Sequence, residues 1–340
     1  MIRIHTAFSD IDLKQWDELV SGSDVATFFQ TAECYEFYAT LTFLSPFVYG
    51  VSEDDKLVGL MCGYIISDGN IVKRFFSRRA IVPGGVLLNA SITAEALNYL
   101  LSYAVQTLSK KSIYLEIRNY NNYDAYSSVF KRNGFLYQPH LNFHLATSSI
   151  DIALKNLNTT KRRDVKLSKK EGVVWEETIY EADIEAYYKI LSTLYKTKIK
   201  IPLFPIEFFK KIVEFPHAKL FVVKHKGCVI GGSVCVLLPE RTVYEWFVCG
   251  HEIAPRNTFP STVATWAGIE YAALNGYKKF DMMGAGKPDE GYGVREFKSK
   301  FGGELVEHGR FLRIFNSRLY SLGKYIIGRL KSKKASTSKA

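Results

Sequence analysis

Residues 280–303 read FDMMGAGKPDEGYGVREFKSKFGG: a strand-like start, a glycine-rich loop holding Lys287, and a short helical pattern holding Arg295, Lys298 and Lys300. The first chemistry such a loop raises is nucleotide-phosphate binding. A P-loop needs a glycine, four residues, Gly-Lys and then a hydroxyl, because its amides wrap the phosphates and its hydroxyl holds magnesium. Asp281 stands where the first glycine belongs, and Pro288 replaces the hydroxyl. ATP chemistry is excluded on both requirements. In the helical part, Val294, Phe297 and Phe301 fall at i, i+3 and i+7, which predicts a buried apolar stripe. Lys298 lies at the edge of that stripe, and Lys300 points nearly opposite. An edge lysine either reaches a partly desolvated cleft or snorkels over Phe297 and Phe301 with its head in water.

A second basic group sits mid-chain in NTTKRRDVKLSKKEGV. Thr159 or Thr160 is expected to cap a helix that Gly172 ends. Arg162, Lys166, Lys169 and Lys170 fall at helical neighbour spacings, with Arg163 beside them. They form a face for a phosphate-bearing ligand or an ordinary solvated surface. Other reactive types carry less. Cys34, Cys62, Cys228, Cys235 and Cys249 make an odd set with no Cys-x-x-Cys pair and are read as buried free thiols. His140 and His144 have a helical metal-ligand spacing, but LYQPHLNFHLAT contains a proline and alternates like a strand. No metal site is expected there.

The elements that must position these residues repeat. Hairpin, long helix from Thr93, strand SIYLEIRN, short helix SSVFKRNGF and LYQPHLNFHLAT are answered by hairpin KLFVVKHKGCVIGGSVCVLL, strand TVYEWFVCG, a helix from Ser261, strand KKFDMMG, short helix VREFKSKFGG and strand HGRFLRIF. Phe130 and Phe297 correspond, as do Thr93 and Ser261. This duplication, in 340 residues, predicts an α/β (α+β) chain of two tandem units. The expected division is 1–150, 151–316, and a basic C-terminal helix and tail at 317–340. Residues 1–150 hold 12 Lys/Arg against 14 Asp/Glu, and residues 151–340 hold 33 against 20. The whole excess of the net charge of +11 therefore lies in the second part, which points to an anionic partner or to a basic solvated surface. Acidic residues interrupt the N-terminal stretch, so no secretory signal is expected, and no run of about 18 uncharged apolar residues is present. A cytoplasmic protein is expected.

Three features together carry a family resemblance: the basic KRRDVKLSKKEGV, the FQTAECYEFY and PGG segments of the first repeat, and the ordered glycines, valine, Phe-Lys and Phe-Gly-Gly of the end motif. The chain resembles the FemABX family of aminoacyltransferases along nearly its full length. That resemblance implies two tandem GNAT-like domains, each a mixed, mostly antiparallel sheet flanked by helices. It implies transfer of an amino acid from aminoacyl-tRNA to a free amine of a peptidoglycan precursor bearing a nucleotide or lipid diphosphate, with no metal or redox cofactor. Lys298 matches the Phe-Lys lysine implied in catalysis, where a cation stabilises the ester oxyanion. Gly284, Gly286, Lys287, Tyr292, Arg295, Phe297 and Arg256 are the expected substrate-binding residues. Arg162, Arg163, Lys166, Lys169 and Lys170 are the expected tRNA-binding face.

Two of the departures from related patterns bear on donor and acceptor. In APRNTFPSTVATW, Phe259 and Ser261 occupy the small positions of a GNAT pyrophosphate loop, which weighs against acetyl-CoA. In LEIRNY, Arg118 and Asn119 stand where bridge-forming enzymes tend to carry Asp-Pro, which leaves the acceptor open. Two other readings therefore stand beside the first: a GNAT-like N-acyltransferase using acyl-CoA on an amino sugar in surface polysaccharide synthesis, and a non-catalytic binding protein for cell-wall precursors or RNA. In the C-terminal segment Leu319, Leu322, Ile326 and Leu330 share a helical face flanked by Arg318 and Arg329. That face suits peripheral contact with the inner, anionic membrane surface or packing on the second unit.

Overall fold

The computed structural model describes residues 1–67 and 77–325. The strands, in chain order, are β1 (Ile2–His5), β2 (Leu44–Glu53), β3 (Lys56–Ile66), β4 (Arg79–Gly84), β5 (Leu87–Leu88), β6 (Tyr114–Asn119), β7 (Leu136–Gln138), β8 (Leu141–Ala146), β9 (Val173–Glu177), β10 (Ala218–His225), β11 (Cys228–Leu238), β12 (Thr242–Gly250), β13 (Lys279–Asp281), β14 (Glu304–Glu307) and β15 (Arg310–Ile314). Alternation decides the faces. In β6, Leu115, Ile117 and Asn119 are buried while Tyr114, Glu116 and Arg118 are only partly covered, the period of two that a one-sided core imposes.

Among the described residues one sheet runs β1-β2-β3-β4-β6-β15-β7, with β5 paired to β3, and the other runs β14-β8-β13-β12-β11-β10-β9. In each sheet one internal pair is parallel, β4 with β6 and β12 with β13, and the other pairs are antiparallel. Each unit is thus a mixed, mostly antiparallel sheet flanked by helices, as expected.

The chain divides into two compact units, residues 1–139 with the segment starting at His308, and residues 140–307. These boundaries differ from the expected 150 and 316, because two strands change places. β8, which the sequence pattern joins to β7 as one alternating strand, inserts between β13 and β14 of the second sheet. β15 inserts between β6 and β7 of the first. Pro139 gives the reason on one side: its fixed φ and the extended bias it imposes on Gln138 carry the chain onward instead of turning it back as a hairpin.

In the first unit the long helix Ala94–Ser109 starts at Thr93, whose hydroxyl accepts from the amide of Ala96 at 3.1 Å. It buries Leu97, Leu100, Leu101, Ala104 and Leu108 at helical spacing against Val82, Leu115 and Ile117. The PGG segment needs its glycines. Gly84 and Gly85 have φ of 81° and 92°, and a Cβ on either would meet Thr27 or Tyr123. Gln30, from FQTAECYEFY, donates to the Gly84 carbonyl at 3.1 Å, so two segments distant in sequence lock together.

In the second unit the helix Pro260–Leu274 is apolar nearly all round and buries eleven residues. Gly268 lets it approach the sheet; an added Cβ would lie 2.7 Å from the Phe280 ring. The residues 317–325 are helical, with Leu322 exposed. Ile326, Arg329 and Leu330 of the expected basic helix lie outside the described residues. No helix among the described residues is long and apolar enough to cross a membrane. Of the five cysteines four are buried, and Cys228, at the start of β11, is exposed, contrary to the expectation for all five.

Candidate active site

The site forms where β12 and β13 stop pairing. Their parallel register runs Thr242 with Lys279, Val243 with Phe280 and Tyr244 with Asp281, and there β13 ends while β12 continues to Gly250. Glu245 is the first residue past the last pair. The β11 register also shifts here: Val234 faces Phe247 and Cys235 faces Glu245, leaving Trp246 as the extra residue of a bulge. Bulges re-aim side chains and are frequent beside active sites. Glu245 is 3% exposed, and neither of its carboxylate oxygens accepts a hydrogen bond among the described residues. The Thr265 hydroxyl faces it without a well-formed bond, and burial pushes the Glu245 carboxyl up to about 7 against the pull of Lys298 and Thr265.

Opposite, the chain leaving β13 enters the left-handed region at Met283 (φ 48°) and Gly284 (φ 74°). That turn aims successive carbonyls at one point, and Lys298 fills it. Its Nζ donates to the carbonyl oxygens of Met282, of Met283 at 2.8 Å and of Gly284 at 2.9 Å. An ammonium has three donors, so all are engaged. Burial lowers the Lys298 pKa, and the charges of Glu245 and Asp281 oppose that shift.

The loop is held from below by β8. Asn142 Nδ2 donates to Asp281 Oδ1 at 2.7 Å, and Asn142 Oδ1 accepts from the Gly284 amide at 3.1 Å. The Met283 amide donates to Asp281 Oδ1 at 2.8 Å, and His144 Nε2 lies 3.1 Å from Oδ2. Desolvation works against the fully buried Asp281 carboxylate, but His144, Lys279 and Asn142 together hold its pKa below the usual range. Asn142 and His144, i and i+2 on one strand face, thus support the loop. The sequence presents His144 only as a metal ligand to be weighed, and it gives Asn142, Asp281 and Glu245 no sign of this role. The alternation of LNFHLA is the available signal, but the partner strand is not.

The structure separates the expected residues. Lys298 is buried at 6% exposure, neither an edge lysine nor a snorkelling one, and Val294 is exposed at 39%, so in the helix Gly293–Ser299 Lys298 is the buried residue, Phe297 is half-buried, and Phe301, just past the helix, is buried against it. The helix is two turns long, so backbone packing outweighs its periodicity. Lys300 pairs with Glu296 at the surface. Arg295 gives its guanidinium to the carbonyls of Ala285, Lys287, Pro288 and Glu290 and thereby clamps the loop 285–290. Lys287 is exposed and pairs with Glu290 at 3.1 Å. Gly286 (φ 78°) makes room for the Tyr292 ring, since a Cβ there would lie 2.9 Å from it. Arg256 is exposed in a different loop, whose neighbour Thr258 accepts from Ser168 at the far end of the basic helix.

That basic helix spans Thr159–Lys170, and its cap is Asn158, not Thr159 or Thr160: the Asn158 side chain accepts from the Lys161 amide at 2.8 Å. Asparagine is an equally good cap one residue earlier. Arg162, Arg163, Lys166, Lys169 and Lys170 are all exposed, away from the buried inner face. Arg162 also donates to the carbonyls of Lys155 and Leu157. The opposite face, Lys161, Asp164 and Ser168, is buried across the start of the helix Pro260–Leu274.

Lys161 Nζ donates to Thr262 Oγ1 at 2.6 Å and sits 4.1 Å from the Phe297 ring centroid, joining the basic helix to the lysine-bearing one. Burial lowers its pKa to about 8, with Asp164 opposing. The unfolded lysine stays protonated to about 10.4, so between those values the unfolded chain binds more protons and stability rises with pH. Urea unfolding of wild type and Lys161→Met at pH 7.5 and pH 10 should therefore show wild type gaining about 2 kcal/mol on the variant at the higher pH. Equal pH responses would refute this assignment.

Residues 155–299 match a family model described as an acetyltransferase (GNAT) domain. No curated protein matches the chain in sequence. Among solved structures, the crystal structure of FemX is 16% identical with a TM-score of 0.70, covering 92% of this chain and 98% of that one. A tandem GNAT protein from the clavulanic acid biosynthesis pathway is 10% identical with a TM-score of 0.60, covering 93% and 99%. The L-PGS structure from Bacillus licheniformis is 13% identical with a TM-score of 0.56, covering 94% and 96%. The chain has a FemABX-like tandem GNAT fold. It is an acyltransferase, and the matched residues include Glu245, Asp281 and Lys298.

Proposed function

We propose that the chain is an aminoacyltransferase that moves an amino acid from aminoacyl-tRNA to a free amine of a peptidoglycan precursor. The observation that carries this reading is the buried Lys298 ammonium on a ring of three carbonyls beside the gap between β12 and β13. In the reaction the neutral acceptor amine attacks the ester carbonyl, a C–N bond forms, the C–O bond to the ribose breaks, and the amine proton passes to the departing ribose oxygen. Charge develops on the carbonyl oxygen. The Lys298 ammonium stabilises it by exchanging one of its three carbonyl acceptors for the oxyanion, an interaction stronger in the transition state than in the ground state. Glu245 helps keep Lys298 charged, and Asp281, Asn142 and Arg295 hold the loop that presents it.

The start of the helix Pro260–Leu274 favours this donor over acyl-CoA. Pro260 lacks an amide hydrogen, and the Thr262 and Val263 amides donate to the Phe259 carbonyl. Lys161 and Ser168 of the basic helix already lie across this end. A coenzyme pyrophosphate would need those amides. The exposed basic face instead suits a nucleic-acid backbone, and the resemblance to FemABX enzymes implies the peptidoglycan acceptor.

Purified protein titrated with charged tRNA and, separately, with acetyl-CoA tests the donor. Saturable tRNA binding should weaken steeply with salt. Lys166→Ala with Lys169→Ala and Lys170→Ala should flatten the log–log salt slope by about 0.7–0.9 for each phosphate that the variant no longer neutralises. Tight acetyl-CoA binding without tRNA binding would transfer the assignment to the acyl-CoA reading that the acetyltransferase domain match supports.

A further inference from the structure

The first unit carries a second charged cluster, on β6 and β15. β6 and β15 are antiparallel neighbours in which Arg118 faces Arg310 and Glu116 faces Leu312. Like charges directly opposite on one sheet face are destabilising. A single carboxylate bridges them: Glu116 Oε1 accepts from Arg118 Nε at 2.6 Å and from Arg310 Nη1 at 3.2 Å. The Glu116 side chain is 14% exposed, against 35% for Arg118 and 27% for Arg310. Burial opposes its ionisation, and the two arginines overcome that, holding its pKa down at about 2. It stays ionised at neutral pH, so the ion triad carries one net positive charge.

Arg118 is the distinctive member. Its Nε is spent on Glu116, while Nη1 and Nη2, the outer fork of the guanidinium, make no hydrogen bond among the described residues. The opposite face of β6, Leu115 and Ile117, is in the core, so the fork cannot turn inward. Register places Arg79 of β4 beside Tyr114 on the same face as Glu116 and Arg118, and Tyr64 of β3 joins them opposite Ile81. The guanidiniums of Arg118 and Arg79 draw the Tyr64 hydroxyl pKa down against the larger effect of its burial. The face is therefore electropositive and edged by phenols.

A structural latch between β6 and β15 requires one arginine on Glu116. A second arginine in direct register, with its outer fork unspent, has the form of a receptor for an oxyanion, since a planar fork matches carboxylate and phosphate oxygens two at a time. We infer that Arg118, held by Glu116 and supported by Arg310, binds a terminal carboxylate or phosphate of a small-molecule ligand in the first unit. With two-thirds of its side chain covered, Arg118 is accessible to a small terminal group and not to the convex backbone of a polyanion.

Calorimetric titration of the full chain at low salt, with inorganic pyrophosphate in one arm and succinate in the other, tests the site without reference to turnover. This keeps its failure distinct from failure of the transferase reading. The expected result is saturable binding of one of the two anions. Arg118→Met should weaken it about tenfold or more. Arg118→Lys should weaken it less, because it keeps the charge and loses the fork. Glu116→Gln should tighten it by removing the competing carboxylate. Absence of saturable binding of both anions would overturn the inference. So would binding that Arg118→Met leaves unchanged, or, should that variant not fold, binding that Arg118→Lys leaves unchanged.

Discussion

Lys298→Met should lower turnover about 10²–10³-fold, the scale of losing one preorganised oxyanion donor, with acceptor KM nearly unchanged. Methionine keeps the length and apolar bulk of the side chain and removes only the ammonium. It also leaves the carbonyls of Met282, Met283 and Gly284 without their shared donor. Circular dichroism and thermal unfolding of the variant therefore accompany the kinetics. Lys298→Arg should not restore activity, because three carbonyls converging on one nitrogen fit a compact ammonium and not a planar fork. A variant that folds and keeps turnover within about threefold of wild type would remove Lys298 from the chemistry.

The same lysine shows how far the sequence can be read. Its place in the chain is legible, since Phe297, Lys298 and the closing Phe-Gly-Gly are local signals. Its surroundings are not. The period of 3.6 places it at the edge of a stripe containing Val294, yet a helix of seven residues is oriented by what it packs on, and Val294 is exposed. Glu245 is a lone acid inside an apolar strand pattern, and only the bulge at Trp246 and the end of the β12–β13 pairing turn it toward the site. Asn142 and His144 belong to a strand that the repeat assigns to the first unit, because Pro139 hides a break between β7 and β8 that periodicity reads through. The duplication itself is readable, since each half repeats hairpin, helix, strand and short helix in order. The exchange of β8 and β15 is not, because sheet partners are chosen by contacts far along the chain. For the basic helix, spacing separates the outward set from the rest correctly, but it has no means of showing that Lys161, one residue before Arg162, turns inward onto Phe297.

Glu245→Gln should change two pH dependences in directions fixed by one charge. The wild-type carboxyl titrates at about 7 in the folded chain and near 4.3–4.5 when unfolded. Between those values the folded chain binds more protons, so stability falls as pH rises, and above 7 the whole cost of an ionised buried carboxylate is present. Glutamine does not ionise. Denaturation at pH 4 and pH 8 should therefore show the variant gaining roughly 2–3 kcal/mol on wild type at the higher pH. Activity should move the other way. The Glu245 charge is the largest influence sustaining protonation of the buried Lys298 amine against its desolvation. Without it, the ammonium is lost at lower pH, and the alkaline limb of the turnover profile should shift toward neutrality. A residue that only filled space would change stability and leave that limb in place. A stabilised variant with an unmoved alkaline limb would thus separate Glu245 from Lys298, and a shifted limb would tie the carboxylate to the charge on which oxyanion stabilisation depends.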